Sequence, residues 1–252
     1  MRQDTEHPAP DAPDLQANIT AYWNLRGESY DGNTRHGISR ADERVHWRPV
    51  LKALFPSPAD VLDIGTGTGF LAILLAELGQ RVTGLDPSEG MLAVARGKAN
   101  GLATPPVFAV GDGHAPPFPA ERFDVVTSRH VLWTLRDPAA AFRGWYQVLR
   151  PGGVVLAFDG LWAASDTRRD AGFDGTPWAK AYQDLYDERV RRGLPFMHTD
   201  SLEPAVALLA QAGFEDVAIE RLSAIEEAER AQIGDPTWQP EPRFVLRGRR
   251  PR

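Results

Sequence analysis

The chain contains no cysteine, which excludes disulfides, thiolate metal sites and a cysteine nucleophile. It has no apolar run long enough to span a bilayer and no signal-peptide pattern at its start. Its six histidines show no paired ligand spacing such as H-E-x-x-H, so no metal is expected. Basic charge is not in excess either: the formal net charge is −6, and a nucleic-acid partner would gain no electrostatic help. What remains is a cytoplasmic, metal-free protein for small molecules, with neither nucleic acid nor membrane as partner. At 252 residues there is room for one large α/β domain with an insertion, or for two small domains.

What is present centres on Val61-Leu62-Asp63-Ile64-Gly65-Thr66-Gly67-Thr68-Gly69-Phe70. This reads as a short buried strand, a glycine turn and an apolar helix through Ala76. Glycines at alternate positions permit left-handed backbone and leave no side chain between main chain and ligand. The following helix offers unpaired N–H groups and a positive dipole end. Asp63 stands at the strand end, where it would repel a dinucleotide pyrophosphate but welcome an ammonium or sulfonium group. The spacing is G-x-G-x-G, which differs from the G-x-G-x-x-G of dinucleotide enzymes. Arg81 to Asp86 reads as a second strand ending in an acid, about 20 residues after the turn, where a ribose-binding carboxylate is expected.

The alternation continues. Ser88 caps a helix through Met91, Leu92, Val94 and Ala95. Val107 to Val110 forms a third strand running into Gly111-Asp112-Gly113-His114, and Phe123 to Ser128 a fourth, followed by Arg129, His130 and Trp133. Asp137-Pro138 opens the next helix, an N-cap acid with proline in the first turn. That helix stops at Leu149-Arg150-Pro151-Gly152-Gly153, before the strand Val154–Asp159. From Asp60 to Asp159, the glycine motif, the two strand-end acids and the Leu-Arg-Pro-Gly-Gly segment together resemble the class I methyltransferases that use S-adenosylmethionine (SAM).

The resemblance implies a Rossmann-like, doubly wound α/β fold. Its seven-stranded sheet has an antiparallel C-terminal pair, and an N-terminal helical segment and a helical lid insertion flank it. It implies SAM as cofactor, with Asp86 and Pro87 at the ribose, and Met91, Asp112, Gly113 and His114 around the adenine. Asp63, Gly65, Thr66, Gly67, Ser128 and Arg129 would face the methionine part, joined by Tyr30 and His36 from the N-terminal segment. His130 is the candidate general base, because histidine accepts a proton near neutral pH. Trp23, Trp133, Trp178, Tyr182 and Tyr186 are candidates for the methyl acceptor. The acceptor would be a small molecule, expected to be a specialised metabolite methylated on oxygen, nitrogen or carbon; homodimerisation is left open. Two alternatives stand beside this: a SAM-fold protein that cyclises or scaffolds instead of methylating, and an NAD-dependent oxidoreductase, against which Asp63 and the glycine spacing argue.

Outside the core, residues 1–14 are rich in proline, alanine and charge and are expected to lack order. Residues 15–56 read as a helical cap, with a helix from Leu15 to Leu25, a polar loop Arg26–Gly32 and a helix after Ser39. The binding core is 57–160. Residues 161–200 read as the lid, with one helix from Thr176 to Arg192 carrying an aromatic stripe. Residues 201–252 return to the sheet with strands at Phe214–Leu222 and Arg243–Gly248, and Ile225 to Glu241 reads as an exposed, charged connection.

Overall fold

This computed structural model describes residues 12–32, 41–55, 58–161, 177–233 and 242–252. Helices α1 (Ala12–Tyr30) and α2 (Ala41–Leu54) precede the sheet. There follow β1 (Asp60–Ile64), α3 (Phe70–Glu77), β2 (Arg81–Asp86), α4 (Glu89–Ala99), β3 (Val107–Val110) and β4 (Phe123–Arg129). The rest is α5 (Pro138–Val148), β5 (Leu149–Gly160), α6 (Pro177–Leu185), α7 (Glu188–Arg192), α8 (Glu203–Gln211), β6 (Glu215–Arg221), α9 (Ser223–Ile233) and β7 (Arg243–Arg249).

The seven strands run in the order β3-β2-β1-β4-β5-β7-β6. The first five are parallel, and β7 pairs antiparallel with both β5 and β6. The order reverses between β1 and β4, and in an open sheet ligands bind at such a switch point, beyond the carboxyl ends of the strands.

Local chemistry explains the elements. Every residue of α3 from Phe70 to Ala76 is buried, because the sheet covers one side and α2 the other, with Trp47 edge-on to Phe70 at 5.5 Å. An all-round apolar helix is stable only in such a place. Gly79 follows its end at φ 87°, the left-handed conformation that closes helices. Ser88 and Asp137 cap α4 and α5 by accepting from the Met91 and Ala140 N–H groups. One core lies among α2, α3 and α9, another between the sheet, α5 and α8.

Three segments differ from the sequence expectation. Helix α1 begins at Ala12, inside the stretch expected to lack order, and continues through Arg26-Gly27-Glu28-Ser29 to Tyr30 instead of stopping at Leu25. A Cβ on Gly27 would stand 2.5 Å from the Gly90 carbonyl oxygen, so this glycine permits helix contact and does not end a helix. The stretch from Thr176 to Arg192 holds two helices, α6 and α7, the second capped by Asp187. The charged connection contains α9, whose Ile225 and Glu226 are buried. Two of its three acids are neutralised: Glu226 pairs with Arg221 and accepts from the Arg243 N–H, and Glu229 pairs with Arg243.

Candidate active site

A cavity of about 890 Å³, part of it open to solvent, lies over the switch point between the strand ends and α1. Its floor is the turn after β1. Gly65, Gly67 and Gly69 have φ values of 61°, 54° and 84°, and a Cβ on Gly65 would fall 2.4 Å from a Val131 methyl. Only glycine fits there.

Asp63 is buried, accepts from the Thr66 hydroxyl at 2.7 Å and from the Ala72 N–H, and is pushed up to about 7 by burial. The nearby charge of Asp86 adds to the rise. Asp86 accepts from the Gly67 N–H at 2.8 Å and the Ser88 N–H at 2.9 Å. Burial still pushes it up to about 6, because two backbone donors do not replace bulk water.

Asp112 differs. Burial acts to raise it, but hydrogen bonds from His114 and Arg136 outweigh that and hold it well below the usual carboxylate range. The Asp137 N–H donates to His114 Nε2 at 3.3 Å. His114 Nδ1 lies 2.7 Å from Asp112 Oδ1 and 3.0 Å from an Arg136 guanidinium nitrogen. The Trp145 indole N–H donates to the Gly113 carbonyl at 2.8 Å and fixes this turn; a Cβ on Gly113 would meet Ile64 at 2.7 Å.

The structure brings fourteen of the sequence-derived candidates onto the cavity wall. From β1 and its turn come Asp63, Gly65, Thr66 and Gly67; from the end of β2 and α4, Asp86, Pro87 and Met91; from the end of β3, Asp112, Gly113 and His114. Arg129 and His130 reach it from the end of β4, and Trp23 and Tyr30 from α1. Arg129 stacks on Phe70 at 3.8 Å. Four candidates are not on that wall. Ser128 is buried opposite Ile64 in the sheet. Trp133, Tyr182 and Tyr186 sit with Tyr22 in an aromatic cluster behind α1. Tyr186 is fully buried, and its hydroxyl accepts from the Trp23 indole N–H at 3.0 Å. It touches the wall through that residue. His36 and the Trp178 side chain lie outside the described residues.

The sequence reading missed Gln16, Ile19, Phe70 and Thr134 on the wall. Gln16, Ile19, Trp23 and Tyr30 share one face of a helix by spacing; the first three fall within the helix expected from Leu15 to Leu25, and Tyr30 joins them once α1 is continued.

Residues 62–157 match a protein family described as a methyltransferase domain. That match runs from β1 to β5, the part of the chain that carries the glycine turn and the three strand-end acids. The chain is 42% identical over 122 residues to a demethylmenaquinone methyltransferase of Thermus thermophilus, a match spanning 47% of this chain and 56% of that one. It is 35% identical over 219 residues to an uncharacterised protein of Mycobacterium tuberculosis, spanning 85% of this chain and 64% of the other. The chain thus spans 56–64% of the length of these curated relatives. Among solved structures it is similar to a phosphoethanolamine N-methyltransferase of Haemonchus contortus in complex with SAM, with a TM-score of 0.59, 21% identity and coverage of 91% and 57%. The cyclase SpnF is similar as well, with a TM-score of 0.63, 20% identity and coverage of 94% and 97%. At these identities the structural likenesses establish the fold.

Among the described residues no helix is long and apolar enough to cross a membrane, and no three metal-ligating side chains converge.

Proposed function

We propose that this chain transfers the methyl group of SAM to a nucleophile on a small molecule. The observation that carries the reading is the cavity at the switch point, whose walls combine a left-handed glycine turn with three strand-end acids. Two buried acids with raised proton affinity suit a cation with hydroxyl donors and oppose a pyrophosphate. Relatives named for demethylmenaquinone methylation and ubiquinone biosynthesis support a small-molecule acceptor, and the composition favours a specialised metabolite.

Bound SAM supplies a methyl group already activated by its sulfonium. The protein's work is therefore mainly alignment, worth several kcal/mol when reacting atoms are held in line. Asp86 accepts from the ribose hydroxyls, Asp112 from the adenine amine, and Asp63 faces the positive end. Arg129, with its planar fork, is suited to the methionine carboxylate. His130 takes the acceptor's proton where one must leave. Its backbone is left-handed at φ 59° and pinned by its N–H, which donates to the Phe158 carbonyl at 2.9 Å. A non-glycine residue held there is strained, and such strain concentrates at functional sites.

Titration with SAM and with NAD, followed by turnover read as S-adenosylhomocysteine, tests the reading. Binding of NAD in place of SAM would overturn it, and SAM binding without turnover would leave a scaffold or cyclase. For His130→Ala, kcat should fall roughly 10²–10⁴-fold and the acidic limb of the pH–rate profile should vanish. A normal kcat at saturating SAM would leave alignment alone as the mechanism.

A further inference from the structure

Helix α1 roofs the cavity, and polar ties along its length join it to the core, three of which bear on the cofactor cavity. At its end, Asp31 accepts from the Thr68 hydroxyl and from Lys98 Nζ, both at 2.6 Å. At its middle, Asn24 Oδ1 accepts from the Ser88 hydroxyl and the Gly90 N–H, both at 2.9 Å. There the backbones also touch, since a Cβ on Gly90 would lie 2.5 Å from the Asn24 carbonyl oxygen. The tie at Asp31 is made between side chains, and the one at Asn24 leans on main-chain contact.

The third tie is of another kind. Arg136 extends from the turn before α5 and donates both to the Asp112 carboxylate and to Gln16 Oε1 near the start of α1. The Gln16 amide is oriented for this, because its Nε2 donates to the Thr20 hydroxyl at 3.1 Å on the same helix. One guanidinium therefore joins the roof to the acid at the end of β3. It is the tie at the end of α1 farthest from Asp31, about 20 Å along the helix. The guanidinium serves both acceptors with two arms fixed in one plane, whereas a lysine ammonium is a compact point charge on a flexible stem without that fixed fork.

We propose that Arg136 is a positioning residue that latches the N-terminal end of α1 over the adenine end of the cavity, so that cofactor release requires it to let go of Gln16. The proposal rests on the cofactor reading above. Loss of the Gln16 arm frees the roof and leaves Asp112 paired. The cofactor then leaves faster, while its rate of entry is unchanged or higher.

The test is stopped-flow binding and displacement of S-adenosylhomocysteine on the full chain. The variants are Gln16→Ala, Arg136→Lys and the double variant. Release should accelerate about tenfold in each single variant, the scale of one hydrogen bond to a charged group. The double variant should add little more, because both changes remove one bridge. The melting temperature of the ligand-free Gln16→Ala protein is the control, since a merely structural contact would lower it and leave release unaltered. Unaltered release in both single variants, or effects that add, would overturn the latch. If the unmodified chain binds no S-adenosylhomocysteine, the cofactor reading itself fails, a result distinct from tight binding with unaltered release.

Discussion

The carboxyl ends of β1 and β2 and the carboxyl end of β3 all place an acid against the same cavity, yet they treat its charge in opposite ways. Asp63 and Asp86 receive hydrogen bonds from a hydroxyl and backbone N–H groups, and burial pushes them up to about 7 and about 6. Asp112 is also partly buried, but His114 and Arg136 hold it well below the usual range. The first pair is a site short of positive charge. The second is an acid already neutralised, able to accept from an uncharged donor. Under the proposed function this difference orients the ligand: the sulfonium and ammonium belong over the glycine turn, and the neutral base beside β3.

The comparison can be broken at each acid. The largest effect is expected from Asp86→Ala, which removes a charged acceptor and should weaken SAM binding by about 1.5–3 kcal/mol in calorimetry. Unchanged affinity in a folded variant would remove Asp86 from the site. Next comes pH. A carboxyl whose folded value lies above its unfolded one favours the folded state at low pH, and this contribution is lost as pH rises. The ligand-free protein should therefore lose stability between pH 4 and pH 7 as Asp63 and Asp86 are made to ionise. A bound cation reverses the sign. SAM favours the ionised acid, so its affinity should rise with pH across the same range, by up to about tenfold per unit for each proton released. S-adenosylhomocysteine, lacking the sulfonium charge, should show a shallower slope. Equal slopes for both ligands would place the sulfonium away from Asp63.

The sequence revealed the core and the acids far better than it did the roof. From Asp60 to Asp159 each element carries its own marker: an apolar strand, a glycine stop after α3, the Ser88 and Asp137 caps. The open-sheet rule then places Asp63, Asp86 and Asp112 at one end. Outside that stretch the deciding facts are contacts between distant segments. Gly27 looks like a helix breaker until the Gly90 carbonyl stands against it. The charges of α9 look solvated until Arg221 and Arg243 pair with them. Tyr182 and Tyr186 have helical spacing, but spacing gives a face and not its partner; theirs is the back of α1, where both rings meet Tyr22. Arg136 precedes the Asp137-Pro138 helix start that sequence reading used, and nothing local says that it reaches Asp112 and Gln16.

The smallest expected effect separates the two kinds of acid most cleanly. Asp112→Asn keeps an oxygen that can accept from an uncharged amine, so SAM affinity should fall by only about 0.5–1.5 kcal/mol, the scale of a neutral hydrogen bond. Its depressed proton affinity means that Asp112 is ionised throughout the range in which Asp63 and Asp86 titrate. Its contribution to stability is therefore present above the unfolded carboxylate value of 3.8 and is lost only as pH falls below it. The pH dependence of SAM binding between pH 5 and pH 8 should thus be the same in Asp112→Asn as in the unmodified chain, only displaced to weaker affinity. In Asp63→Asn the slope itself should flatten, because the group that gives up its proton has been removed. Calorimetric titration of both variants across that range decides the matter. A flattened slope in Asp112→Asn would mean that the β3 acid, and not the pair at the glycine turn, carries the cation.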